Sequence, residues 1–248
     1  MKKLLLFLSA AVTLGLTGCF ETTEEITLND DGSGTYININ DMSKLIPILK
    51  NMGAADQLGG KSIDTSFALG TSKESIEGLS EDDAGLLKKG TMNMKMNIED
   101  EKMVATMNFP FASLNDIPKI NKLTAKSMTQ SLTSQMGGNM PPGMDQMPEP
   151  SSFSDYYTLE YESGEIKRKL NKEKHATLAS DKYLTQLQEA AAMGIPITHS
   201  LVINLPRPAE KIEGKNAKLS EDKKKVTVSG SIDDLFDNPE KLEFKVKY

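Results

Sequence analysis

Apolar and polar residues alternate along much of this chain, and such alternation is typical of β-strands with one buried face. A long example is residues 91–111, where alternating runs flank the charged pair Asp100-Glu101. A turn at that pair predicts a hairpin in which apolar side chains oppose each other on one face. The predicted pairs are Ile98 with Met103, Met96 with Ala105, Met94 with Met107, and Met92 with Phe109. The opposite face of this hairpin is polar, so we expect it to be solvated.

An earlier hairpin is indicated by residues 31–34, with the sequence DGSG, between two further alternating runs. The pattern predicts that Ile26 and Leu28 face Ile39 and Ile37 across this turn. The stretch lacks carboxylates at the first and last ligand positions of a calcium-binding loop, so we interpret it as a turn only.

A later hairpin is predicted around Ser163-Gly164, between runs that alternate in both apolar and charged residues. The turn pairs Tyr161 with Ile166, Tyr157 with Leu170, and Glu160 with Lys167. One face of this hairpin is therefore apolar and the other carries opposite charges.

Helices are indicated by capping residues at the ends of apolar segments. Ser80 precedes an acidic first turn, and Gly90 follows two lysines, which suits the helix dipole. Asp41 begins a shorter predicted helix, and residues 180–194 carry the last one. Together with the hairpins, these helices predict an α+β fold, in which an antiparallel sheet built from hairpins carries helices packed on one face.

The first residues have the order of a bacterial export signal. Lys2 and Lys3 precede an apolar run that is too short to span a bilayer as a mature helix, and small residues follow. Residues 16–19, Leu-Thr-Gly-Cys, resemble the lipobox of bacterial lipoproteins, whose cysteine is lipidated and becomes the N-terminus after cleavage. Cys19 is the only cysteine in the chain, which favours lipidation over a plain secretory signal. The resemblance implies acyl chains on Cys19 that anchor the protein in a membrane.

The same pattern divides the chain into successive parts. Residues 1–18 form the predicted signal peptide, and residues 19–25 form the lipid anchor and an acidic tether. Residues 26–133 and 153–248 are the first and second α+β halves, which we expect to share one sheet or to pack together. Residues 134–152 are rich in Met, Gly and Pro, so we expect a linker or insert there.

Composition and charge narrow the partner classes. The formal net charge is −6 with the acidic residues spread along the chain, which argues against a nucleic-acid partner. Residues 55–62 satisfy a relaxed phosphate-loop pattern, but a helix is predicted before them where a phosphate loop requires a strand. We therefore expect no nucleotide to bind.

The sequence indicates no catalytic constellation. His199 shares a predicted strand face with Ile197 and Leu201, which favours a hydrogen-bonded residue at the edge of the core. His175 lies in a lysine-rich stretch that suits a solvated face, with contact to anionic lipid head groups as the alternative. The chain has no GxSxG motif and no other histidine, so we expect no enzyme, no catalytic residues, no metal and no cofactor.

Methionine is frequent, with 14 residues. Copper(I) binds thioether sulfur, and Met92, Met94 and Met96 share one strand face. The same spacing is what a buried strand face requires, and methionine is an adaptable core residue, so we favour packing and keep copper(I) as an alternative. The candidate ligand-binding residues on this face are Met92, Met94, Met96, Met103 and Met107.

Two segments carry a resemblance to a known family. Residues 203–235 contain a Leu-Pro strand end followed by a predicted hairpin, and residues 28–36 contain the early DGSG turn. Together they resemble the envelope lipoproteins grouped around the LppM-type domain. The resemblance implies an α+β envelope module and allows lipid contact, whereas the methionine-rich insert departs from the family pattern.

From these observations we expect a non-enzymatic lipoprotein of the cell envelope, a binding or scaffolding module on the outer membrane that faces the periplasm or the cell exterior. Its partner would be a lipid or an envelope protein. The alternative is a carrier or sensor of a lipid-like apolar ligand, which a cavity along the methionine face would favour. A polar cleft that gathers His175 or His199 with carboxylates would instead favour an enzyme.

Overall fold

A computed structural model of the chain describes residues 20–51, 62–71, 79–124, 148, 150–162 and 164–248. The strands are β1 Phe20–Leu28, β2 Gly34–Asp41, β3 Ser62–Ala68, β4 Thr91–Asn97, β5 Lys102–Phe111, β6 Tyr157–Glu162, β7 Glu165–Leu170, β8 Ile197–Asn204, β9 Lys211–Glu213, β10 Ala217–Leu219, β11 Lys225–Ser231 and β12 Phe244–Lys247. The α-helices are α1 Leu45–Asn51, α2 Glu81–Leu87, α3 (residues 117–124), α4 Lys172–His175, α5 Lys182–Ala192 and α6 Ile232–Asp237. Short 3₁₀ helices are Leu114–Asp116, Phe153–Tyr156, Leu178–Ser180 and Pro239–Leu242.

The strands form two sheets. An eight-stranded sheet has the order β10-β11-β8-β1-β2-β5-β4-β3, and a four-stranded sheet has the order β6-β7-β12-β9. The predicted α+β class, with antiparallel sheets and helices, is confirmed. Strands β8, β10 and β11 of the second half extend the sheet of the first half. The sequence did not predict that β8 lies beside β1 in parallel.

One hydrophobic core joins both sheets and the helices. Ile26 and Ile203 of the large sheet, Ile166 and Val246 of the small sheet, and Leu184 of α5 all belong to the same buried cluster. The two halves recognised in the sequence therefore contribute to a common interior.

The hairpin of β6 and β7 has the predicted register. Tyr161 lies opposite Ile166, Tyr157 opposite Leu170, and Glu160 opposite Lys167. A tight turn leaves little choice of register, which is why local sequence was sufficient here.

The hairpin of β4 and β5 has the predicted faces but a register shifted by two residues. Met96 lies opposite Met103, Met94 opposite Ala105, and Met92 opposite Met107. The turn takes residues 98–101 instead of two residues, because Ile98 is buried against Ile46 of α1 and is withdrawn from the strand pair.

The predicted pairing of the first hairpin is wrong. Ile26 lies opposite Tyr36 and Leu28 opposite Gly34, so Ile37 and Ile39 point to the other face of the sheet. The prediction assumed that isoleucines form the inner face, but the inner positions of β2 are Tyr36 followed by two buried asparagines.

The predicted tether at residues 19–25 is also corrected by the position of β1. The strand begins at Phe20, and Glu21 is already paired with Asp41 of β2 and Thr198 of β8. Residues 21–25 are held in the sheet, because β2 and β8 pair with them on both sides and satisfy their backbone groups.

The capping signal at Ser80 located α2, because its side chain accepts a hydrogen bond from the N–H of Asp83. The last predicted helix, residues 180–194, contains α5, which is capped by Asp181. The helix predicted from Asp41 starts later, at Leu45, because Asp41 is the last residue of β2.

No helix within the described residues is long and apolar enough to cross a membrane.

Candidate functional site

A cavity of about 560 Å³ lies between the large sheet and the elements that cover it. Its floor is formed by β1, β2, β5 and β8, and its cover by α3, residues 150–155, α5 and parts of β6 and β7. This volume is within the range of small-molecule binding sites in proteins. The cavity is therefore the candidate functional site.

The floor changes from apolar to polar along the strands. In one row across the sheet, Ile203, Ile26, Tyr36 and Phe109 are neighbours, and all four are fully buried. The next row towards the start of β1 contains Leu201, Glu24, Asn38 and Met107. Every second residue of a strand lies on the same face, so Glu24 and Ile26 both point into the interior.

Glu24 is a buried carboxylate with hydroxyl groups around it. The Ser152 hydroxyl donates to Oε1 and the Ser154 hydroxyl donates to Oε2 at 2.7 Å. Burial alone would raise the pKa of Glu24, but the nearby His199 ring and the two serine hydroxyls outweigh it and lower this pKa to about 2. Glu24 is thus held as an anion inside the protein.

Arg168 of β7 supplies the opposite charge from the other sheet. Its side chain is only 2% exposed, and its guanidinium lies 4.1 Å from the ring centre of Tyr157. Nη2 donates to the Ser154 hydroxyl at 3.3 Å, so Ser154 links Arg168 to Glu24. Burial lowers the pKa of Arg168, and the charge of Glu24 counteracts this effect. Nη1 has no hydrogen-bond partner among the described residues, which leaves one buried donor for another molecule.

His199 of β8 completes the polar group. Its Nε2 atom lies 3.3 Å from Oε1 of Glu24, close enough for an ion pair but not aligned for a hydrogen bond. The ring stacks on Phe153 with a distance of 4.9 Å between ring centres. The prediction placed His199 correctly on the face of Ile197 and Leu201, but the expected hydrogen bond is not formed within the described part of the chain.

Residues 150–152, assigned to a linker from the sequence, belong to the cavity wall. Ser152 caps the 3₁₀ helix Phe153–Tyr156, and the backbone N–H of Ser152 donates a hydrogen bond to the carboxylate of Asp155. This reciprocal cap fixes the hydroxyl of Ser152 next to Glu24. Burial raises the pKa of Asp155, which lies in the same wall.

The candidate methionines are divided between core and cavity. Met92 and Met94 are buried in the main core, and Met96 and Met103 pack against Ile46 and Ile98. Met107 is the one candidate among them that also lines the cavity. Their predicted roles in ligand binding or copper(I) binding stay predictions.

The other sequence candidates lie elsewhere. Cys19 and residues 55–61 of the phosphate-loop pattern are outside the described residues. His175 in α4 donates from Nε2 to the carbonyl oxygen of Leu235 at 2.9 Å, so it is tied to α6 instead of facing free solvent. The described residues contain no group of three or more His, Cys, Asp and Glu side chains arranged to hold a metal ion.

The sequence reasoning missed Glu24, Arg168, Asn38 and Asn40 as site residues. A signal was available, because Glu24 alternates with Ile26 and Leu28 on a predicted strand and so occupies an inward position. The predicted register of the first hairpin was wrong and assigned Asn38 and Asn40 to the outer face, so this signal was not recognised.

Comparisons with known proteins give little further information. No protein-family model and no curated protein sequence matches the chain. The structure is similar to the NMR structure of the folded domain of LppM from Mycobacterium tuberculosis, with a TM-score of 0.40 and 10% sequence identity. The similarity covers 93% of this chain and 91% of that domain. A similarity this weak does not indicate the function of this chain.

Proposed function

We propose that the chain is a membrane-anchored lipoprotein of the bacterial cell envelope that binds a lipid-like ligand in its cavity without chemical conversion. The lipobox residues 16–19 support the anchor and the envelope location. The main support for ligand binding comes from Arg168. Its side chain is buried in the cavity wall, and its Nη1 atom has no hydrogen-bond partner among the described residues.

The cavity wall supports a ligand with both an apolar part and a hydrogen-bond acceptor. Phe20, Ile117, Leu187 and Ile197 supply apolar surface, which favours a hydrocarbon part. A buried unpaired donor costs about 1–3 kcal/mol, and an acceptor group placed at Nη1 of Arg168 would remove that cost. A ligand of this kind satisfies both parts of the wall at once.

Binding is favoured over catalysis by the direction of the hydroxyl groups. The hydroxyls of Ser152 and Ser154 both donate to Glu24, so neither is aligned with a ring nitrogen of His199 as a nucleophile requires. The cavity gathers His199 with a carboxylate, an arrangement named in the sequence analysis as favouring an enzyme. Its charged groups, however, compensate one another's charge.

The anchor would also hold the cavity close to a source of such ligands. Phe20 directly follows Cys19 and forms part of the cavity wall. A lipid that leaves the membrane would therefore have a short path to the site.

The test measures binding of cis-parinaric acid, a fluorescent fatty acid, to the acyl-free form that comprises residues 20–248. We expect the wild type to bind the probe saturably. Arg168→Met should weaken the affinity by about tenfold, because a change of that size corresponds to the loss of one charge-assisted hydrogen bond. Lys169→Met is the matched control, because Lys169 is the next residue of β7 and is exposed. Absence of saturable binding to the folded wild type, together with no small molecule released from protein purified from membranes, would overturn the proposal.

A further inference from the structure

The loop that connects α5 to β8 is exposed and apolar. Of the large hydrophobic side chains in the described residues, two are exposed, Tyr161 at 36% and Met193 at 78%. Met193 begins the loop of residues 193–196, in which Gly194 and Pro196 are also exposed. Residues 190–200 contain no Asp, Glu, Lys or Arg. This loop thus lacks the charged groups that favour contact with water.

The loop lies directly beside the start of β1. The N–H of Phe20 donates to the carbonyl oxygen of Pro196 at 3.1 Å, and Phe20 is paired with Ile197. Since β1 and β8 are parallel, both strands begin at the same edge of the sheet. Cys19 precedes Phe20, and consecutive Cα atoms are about 3.8 Å apart, so acyl chains on Cys19 start at this edge.

We infer that the loop of residues 193–196 docks into the surface of the same bilayer that holds the acyl chains of Cys19. The inference rests on the proposed lipoprotein function, because the anchor determines which surface the loop meets. One exposed methionine is ordinary on a protein surface. Its position beside the anchor, in a loop without charges, identifies a lipid surface as its partner.

Docking at this edge gives the domain a fixed orientation. The turn of residues 29–33 lies beyond the other end of β1, about 27 Å along the strand. This turn carries the exposed residues Asp30 and Asp31, whose charges are repelled by anionic head groups. The uncharged loop of residues 193–196 therefore faces the membrane and the acidic turn faces away from it.

The chain has no Trp, so a single introduced Trp reports one position by its fluorescence. The full acylated protein is prepared as Met193→Trp and, as the matched control at the far end of β1, as Asp30→Trp. Both positions are exposed, so neither change disturbs the core. Each protein is reconstituted into vesicles of phosphatidylethanolamine and phosphatidylglycerol, with or without brominated acyl chains, which quench Trp on contact.

We expect the emission of Met193→Trp to shift to shorter wavelength on vesicles and to lose most of its intensity with brominated lipid, whereas Asp30→Trp shows neither change. If both proteins remain on the vesicles and neither is quenched, the docking inference is wrong, whereas the proposed membrane anchor is still supported. Equal quenching of both would show that the domain has no fixed orientation, which also overturns docking. If the acylated protein does not remain with vesicles at all, the proposed lipoprotein function fails and docking fails with it.

Discussion

The Nε2 atom of His199 lies 3.3 Å from Oε1 of Glu24, and each of these two side chains is only 1% exposed. The contact joins neighbouring strands β1 and β8, which lie far apart in the sequence. It places an ionised carboxylate inside the core, and this has a measurable effect on acid stability.

We expect the stability that Glu24 contributes to depend on pH. Its pKa is lowered from 4.5 to about 2 in the folded protein, so the ionised form is favoured by folding. The contribution, about 3 kcal/mol, is fully present above about pH 4.5 and is lost as the pH falls towards 2. Urea unfolding of wild type and Glu24→Gln at pH 7 and pH 3 measures it. The difference between the two proteins should narrow at pH 3.

Glu25→Gln is the control for that experiment, because Glu25 lies on the opposite face of β1 and contacts Asn204. Its difference from wild type should be small at both pH values. If Glu24→Gln differs from wild type by the same amount at pH 7 and pH 3, the buried carboxylate is not ionised as described.

Glu24 and Arg168 should be energetically coupled through Ser154. Either Glu24→Gln or Arg168→Met leaves one buried charge uncompensated, so each should lower the free energy of unfolding by about 3–5 kcal/mol. The double variant should lose clearly less than the sum of the two single losses. Denaturant unfolding of the four proteins measures this coupling.

The exposed pair Lys169 and Glu160, 3.3 Å apart, provides a matched cycle on the same hairpin. Its coupling should be less than about 1 kcal/mol, because solvent screens both charges. If the losses in unfolding free energy at Glu24 and Arg168 are additive, the two charges do not interact.

The methionine face should tolerate leucine. Met92 is fully buried and Met96 partly buried, and leucine has a similar volume, so each Met-to-Leu change should cost less than about 1.5 kcal/mol. The variant with Met92, Met94 and Met96 all replaced by Leu should fold and remain membrane-held. Titration with copper(I) against a competing chelator should show no tight site in either protein. A tight site in wild type that the leucine variant lacks would establish copper(I) binding instead.

Two glycines should respond oppositely to alanine. A Cβ atom at Gly90 would overlap the ring of Phe109, which is fully buried, so Gly90→Ala should cost about 1–3 kcal/mol. Gly85 lies inside α2, and a Cβ atom there would meet nothing within 4 Å apart from its chain neighbours and the backbone of its own helix. Gly85→Ala should therefore stabilise the protein by up to about 1 kcal/mol. Thermal unfolding of the two variants and of the wild type measures these changes in stability. Stabilisation by Gly90→Ala would show that the Phe109 ring is not fixed.

Cys19→Ala should abolish lipidation and leave an uncleaved or soluble product. The acyl chains are the main membrane attachment proposed here, and the loop at residues 193–196 alone is too small to replace them. Labelling with palmitate followed by membrane fractionation measures both effects. Firm membrane retention of the Ala variant, equal to wild type, would show that another attachment exists.

Local features of the fold could be predicted from sequence, but contacts between distant segments could not. The turn at Gly164 determined the register of β6 and β7, and Ser80 located the start of α2. The pairing of β1 with β8 brings together residues that lie far apart in the sequence, and no local pattern encodes it.

The candidate site was missed because the rule that apolar residues face inward fails at a polar cavity. Ile37 and Ile39 were assigned to the inner face, whereas Asn38 and Asn40 occupy it. Polar inner positions are costly unless they have partners. Asn38 and Asn40 bond Tyr36, Thr22 and each other, whereas Glu24 is bonded by Ser152, which comes from a segment predicted to be a linker. Sequence reasoning therefore failed at the positions that form the site.

The start of β1 immediately after Cys19 also determines how mechanical force enters the protein. In the proposed lipoprotein, a pull on the acyl chains of Cys19 would act along β1, which is paired with β2 on one side and with β8 on the other over nearly its whole length. Such a pull loads the hydrogen bonds of both ladders in shear at the same time, whereas a pull across a strand opens them one after another. In that protein, drag on the membrane would be transmitted directly to the centre of the large sheet, and the sheet would resist it as one unit.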